Sequence, residues 1–289
     1  MELGIHNTMA SFRILGIGLD FRGISEQLGI QPSLTRRKGE HGLIQTPQSA
    51  DVWCLDSPLP RSEPLEVHLK SLRQVLLPHC EFLRSLRGKC DLSIYCGITT
   101  DGDRCQFHLS SDSLRMFAEL GIDMDLSLVF TGYSNSEPLS SETANVNDKL
   151  NSEGAEASFH IIGAALDESW ISNALGIASS KTNGRGYASV YGNPPPTNSW
   201  SLVAAVPRSS DLDKHLRWLG ATLLPSAGFL LALKEKGTML VLCDFVTRSD
   251  TGGVVISAEG LRICTELDIP LDFKAFLIWQ ELAQASELV

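Results

Sequence analysis

The sequence predicts an α+β protein built from two homologous mixed-sheet units, each running β-α-β-α-α-β-β-α-β. Three observations carry that prediction. First, Ala10–Ser33 (ASFRILGIGLDFRGISEQLGIQPS) returns as Ala157–Ser180 (ASFHIIGAALDESWISNALGIASS), at an offset of 147. Second, that offset persists far downstream, matching Trp53 with Trp200, Pro78 with Pro225, Cys96 with Cys243 and Ser110 with Ser257; a register held across intervening loops is an internal duplication. Third, stretches of period-two alternation are interspersed with leucine stripes at helical spacing and one hairpin signal, the pattern of a mixed sheet covered on one face by helices.

Taken in order, Phe12, Ile14 and Gly16 alternate as a strand that Leu19-Asp20 closes. Asp20 is placed to accept from the free N–H groups of a short helix carrying Ile24 and Leu28, which Gly29 ends in the left-handed conformation. Phe159, Ile161, Gly163, Leu166, Asp167, Ile171, Leu175 and Gly176 repeat every one of these roles. Leu34–Val52 and its counterpart Lys181–Ser199 read as long loops, beyond the length at which an irregular connection is common unless it is functional. A strand follows at Trp53 and Trp200.

Leu65, Leu69, Leu72 and Leu76 then form the stripe of a helix over Pro64–Leu77, repeated by Leu212, Leu216, Leu219 and Leu223. Pro78 and Pro225 break it, and a second helical piece carries Phe82, Leu83 and Leu86, or Phe229, Leu230 and Leu233. Asp91–Ile98 and Cys105–Leu109 flank Asp101-Gly102 as a hairpin, as do Thr238–Val246 and Val254–Ser257 around Ser249–Gly253. Ser111-Asp112 caps a helix ended by Gly121, and Asp123–Phe130, matched by Leu271–Ile278, closes each unit. The domains are accordingly residues 10–131 and 157–279. Residues 132–156 form a linker with five acids against one lysine, and 280–289 form a tail.

With 43% hydrophobic and 20% charged residues in 289, the chain has globular composition, and each copy is of a size to bury its own core. A net charge of −10 argues against a nucleic-acid backbone as the main partner and is compatible with a cationic protein. No signal peptide and no apolar run of membrane-spanning length is read, so no membrane partner is expected. Seven cysteines without a C-x-x-C pair point to reduced thiols and a cytoplasmic location, without zinc or any other metal or cofactor.

Candidate site residues fall into two groups. Arg36, Arg37, Lys38 and Glu40, with Lys181, Arg185, Tyr187 and Tyr191 in the second copy, read either as solvated loops or as partner-binding contacts. His68 and His215, the histidines kept in both copies, border the buried face of the leucine helix. They are either packed core residues or a pair meeting between the repeats. Asp20 and Asp167 read as helix caps, and Trp53 and Trp200 as core aromatics. No G-x-S-x-G, Walker, H-E-x-x-H or dinucleotide motif is present, so no catalytic residue is assigned.

The sequence strand–Leu-Asp–helix–Leu-Gly-Ile, then Lys38-Gly39-Glu40 and Trp53, resembles a bacterial family known as domain of unknown function 4279. So do the leucine-rich helix and the L-x-x-x-x-E-L-G-I segment Leu114–Ile122. The resemblance covers nearly the whole chain as two tandem copies. The second copy departs from it at Arg185-Gly186-Tyr187, where the acid is lost. Small acidic bacterial proteins with duplicated α/β units are also similar to immunity proteins that neutralise toxins. The expected function is therefore non-catalytic binding, as an immunity protein against a cognate toxin such as a nuclease. The alternative is an enzyme or small-ligand binder with a site between the repeats, using His68, His215 and the basic run.

Overall fold

The computed structural model describes residues 5–40, 48–131, 153–163, 166–180 and 198–278. In the first repeat these form β1 (Ile5–Gly16), α1 (Phe21–Leu28), β2 (Leu34–Arg36), β3 (Asp51–Asp56), α2 (Leu65–Leu76), α3 (Cys80–Leu86), β4 (Asp91–Thr100), β5 (Arg104–Leu109), α4 (Ser111–Leu120) and β6 (Asp123–Phe130). The second contributes β7 (Gly154–Gly163), α5 (Glu168–Leu175), β8 (Asn198–Val203), α6 (Leu212–Leu223), α7 (Ala227–Leu233), β9 (Thr238–Thr247), β10 (Thr251–Ile256), α8 (Arg262–Glu266) and β11 (Leu271–Leu277). The expected α+β class and element order are present. β1 and β7 begin earlier than the repeat starts read from the sequence, so the end of the expected linker is already strand. Residues 132–152 of that linker and the tail lie outside the described residues.

Local chemistry explains the helix ends. Asp20 accepts from Gly23 N at 2.9 Å and Asp167 from Trp170 N at 3.0 Å, while Gly29 and Gly176 close the same helices at φ 63° and 67°. α4 is capped one residue earlier than expected: the Ser110 hydroxyl, not Ser111, accepts from Ser113 N. α6 and α7 with the turn between them span Leu212–Leu233, long and apolar enough by length and composition to cross a membrane. Their leucine stripe is buried against β7 and its neighbours, however, which is the position of a core helix.

The strands form two mixed sheets. One has the order β10-β6-β4-β1-β3-β2, the other β5-β11-β9-β7-β8. In each, one interior pair, β4–β6 or β9–β11, is parallel and every other pairing is antiparallel. The expected hairpins are not formed. β5 leaves β4 and pairs with β11 of the second repeat, placing Phe107 opposite Phe273, while β10 leaves β9 and pairs with β6 of the first. The two repeats thus exchange one strand each. The Phe107 and Phe273 rings stack with centroids 5.0 Å apart at the first exchange. The turn residues lock the crossing reciprocally: Phe130 N donates to Asp250 O and Leu277 N to Asp103 O, both at 2.8 Å.

One continuous core results. It joins the inward face of both sheets to α2, α4, α6 and α8, and α4 packs on α8 across the repeats. Asp268, at φ 51° where the first repeat has Gly121, fastens this contact. It accepts from Ser111 Oγ at 2.6 Å, Arg115 Nη2 at 2.7 Å and Lys234 Nζ at 2.9 Å. The expectation that each copy holds a self-sufficient core is therefore corrected, because each sheet needs a strand from the other half.

Candidate functional site

Among the expected contact residues, Arg36, Arg37, Lys38 and Glu40 do lie together, on β2 and the turn after it. β2 itself occupies the start of what was expected to be loop, and pairs with β3. Arg37 is not a vacant anion site. Its Nη1 donates to Asp51 Oδ2 at 2.9 Å and to Leu19 O at 2.7 Å, and its guanidinium lies 3.8 Å above the Phe21 ring. Asp51 also accepts from Lys38 N at 2.8 Å and Leu19 N at 2.9 Å. The Lys38 amide foremost, then that of Leu19 and the Arg37 guanidinium, hold the Asp51 carboxyl below its usual range against the opposing effect of burial. The cluster thus latches the turn onto the end of β1. Lys38 and Glu40 keep exposed side chains and Arg36 a half-buried one.

Asp51 was missed in the sequence, yet a signal existed. The second repeat has Asn198 at that position and Gly184 at that of Arg37. Asn198 Nδ2 donates to Leu166 O at 2.7 Å, the counterpart of the carbonyl that Arg37 serves. One amide replaces an ion pair, and both partners changed together. Lys181, Arg185, Tyr187 and Tyr191 lie outside the described residues.

His68 and His215 are fully buried, and each occupies the same place in its own repeat, between the leucine helix and the sheet. They are not joined at a common site. Burial holds both below the usual imidazole pKa; carbonyls oppose it, of Glu63 and Pro60 at His68 and of Pro207 at His215. Neither ring makes a hydrogen bond of good geometry. Among the described residues no group of three His, Cys, Asp or Glu side chains could hold a metal ion. Trp53 and Trp200 are core residues, each donating to a serine of the first helix, Ser25 at 3.0 Å and Ser172 at 2.9 Å.

Two features at the junction of the repeats had no sequence signal of their own. On the outer face of the second sheet, His108 Nδ1 and Asp272 Oδ1 lie 2.6 Å apart, joining exchanged β5 to β11. That bond raises the His108 pKa. On the same face Ser158 Oγ and His160 Nε2 lie 2.7 Å apart, and burial pushes His160 down to about 4. Secondly, an open groove of about 610 Å³ lies where β10 passes the start of β7, lined by Ala155, Arg208, Asp211, Asp213, Phe245 and Val254 among others. Neither histidine of the expected pair lines it, nor does the basic run. All seven cysteines are free thiols. Burial raises Cys54 to about 11 and Cys105 to about 12, which makes them poor nucleophiles.

Comparison with known families accounts for the duplication. The family model described as Domain of unknown function (DUF4279) matches residues 6–131 and again residues 152–276. The chain belongs to that family as a tandem duplication. Searches of curated proteins and of solved structures return no match.

Proposed function

We propose that this chain is a non-catalytic bacterial binding protein that acts in the cytoplasm as an immunity protein, neutralising a cationic toxin, such as a nuclease, by direct contact. The observation that carries this reading is how the kept and changed polar residues divide. Those kept in both repeats serve the frame: Asp20 and Asp167 cap helices, Ser25 and Ser172 hold the buried indoles, and Ser110 and Ser257 bind the Glu66 and Asp213 carboxylates. Exposed positions without such a role differ in places, as Arg104 and His108 against Thr251 and Val255 illustrate. Five of the seven thiols are buried, as are the kept histidines His68 and His215. The net charge of −10 favours encounter with a cationic partner.

Affinity purification from the native cell, followed by mass spectrometry, tests the reading. One cationic protein at near-equal stoichiometry, whose toxicity this chain suppresses in cells, is the expected result. Recovery of the chain alone would remove it. Reversing exposed acids should slow association at low salt more than it speeds dissociation.

A further inference from the structure

We propose that the outer edge of β10 and the groove beside it receive an extended segment of the partner protein, added to the first sheet as a further strand, with apolar side chains in the groove and basic ones at its rim. This rests on the reading of the chain as a protein-binding protein, and specifies where and how it binds.

The duplication provides an internal control for the edge. Exposed sheet edges invite pairing with another chain, and natural proteins guard them with charge, shortness or cover. The four edges here differ in that respect. β2 has three residues. β8 is covered by Ser179 and Ser180, with Ser180 N donating to Ser201 O at 2.8 Å and Val203 N to Ser180 Oγ at 3.1 Å. β5 turns Arg104, Gln106 and His108 away from the core. β10, its equivalent by descent, presents Thr251, Gly253 and Val255 at those three positions, and Val255 is 57% exposed. Among the described residues no strand pairs with its far side. Of the two six-residue edges, β5 keeps charged side chains and β10 has lost them.

The groove follows the same asymmetry. Asn7, Thr8, Gln106 and Phe107 of the first repeat correspond to Gly154, Ala155, Gly253 and Val254, each smaller, and the groove opens beside these smaller residues. Its floor is apolar, with Phe245, Val254 and Ala155. Its charged lining has two acids against one cation: Asp211 is 81% exposed with Lys214 Nζ at 3.5 Å, Asp213 is the second residue of α6 and accepts from Ser257, and Arg208 faces Glu156 at 3.8 Å. A strand laid along six residues would run about 20 Å and send alternate side chains into the groove. Basic residues on that strand would meet the acids of the lining, the same charge preference as the whole molecule shows.

Selection of linear twelve-residue peptides displayed on phage against the full-length protein tests this. Enriched peptides should alternate apolar residues with lysine or arginine and protect Thr251–Ile256 from hydrogen exchange. They should bind the Thr251→Lys/Val255→Lys variant about tenfold more weakly or worse. Val255→Ile should bind like the parent, and melting temperatures should be unchanged because both side chains are exposed. Absence of enrichment, or enriched peptides indifferent to the lysines, overturns the edge site. If that happens while a partner still co-purifies from cells, the edge falls and the binding function stands. If no partner co-purifies either, both fall.

Discussion

Asp51 shows how a single charged residue fixes a loop. Its carboxylate is enclosed by two backbone amides and one guanidinium, so neutralising it or removing Arg37 leaves a buried polar group unsatisfied. Asp51→Asn alone and Arg37→Gly alone should each lower the melting temperature. The double variant recreates the pair found in the second repeat and should be more stable than the sum of the single losses predicts. Thermal denaturation of the four proteins measures that coupling. At the same scale, Trp53→Ala should cost about 3–5 kcal/mol, because it removes a buried indole together with its edge contact to Phe12. A denaturant titration reads that loss.

At the scale of elements, the strand exchange places histidines in unlike surroundings, and their pH effects take opposite signs. The folded pKa of His108 is raised by Asp272, so its contribution is full below the unfolded value of about 6.5 and is lost as pH rises through the folded one. His160 is held down to about 4 by burial. An unfolded chain therefore takes up its proton first, and stability falls as pH drops from about 6.5 towards 4, by on the order of 3 kcal/mol. His68 and His215 shift in the same direction as His160, so the acid-side loss dominates. Melting temperature against pH should peak near neutrality. His160→Gln should flatten the acid limb, and His108→Gln the smaller alkaline decline. An unaltered acid limb in the first variant would show that His160 is not its source.

Over the whole molecule, exchange of β5 and β10 makes the duplication obligatory rather than additive. A half cut within residues 132–152 lacks the strand that completes its sheet, while its own exchanged strand has no sheet to join. Either half alone should be aggregation-prone or should pair with a second copy, and co-expressed halves should assemble one to one, which size-exclusion chromatography with light scattering resolves. The intact chain should unfold in one cooperative transition, since its core crosses the repeat boundary. Two separate calorimetric transitions would contradict that description.

The sequence by itself determined the duplication, the family, the helices and their glycine ends, the buried roles of Trp53 and Trp200, and the capping roles of Asp20 and Asp167. These rest on local periodicity and capping, which act over a few residues and are written twice in the chain. It could not determine which sheet β5 and β10 join. The turn signal at Asp101-Gly102 marks where the chain reverses, and a strand of period two pairs equally well with its neighbour or with the matching strand of the other repeat. That choice depends on contacts such as Phe107 on Phe273 and Asp268 on Ser111 and Arg115, far apart in sequence. The Arg37–Asp51 latch, the His108–Asp272 bond and the groove beside β10 are likewise products of tertiary packing, because each joins residues that only the folded chain brings together.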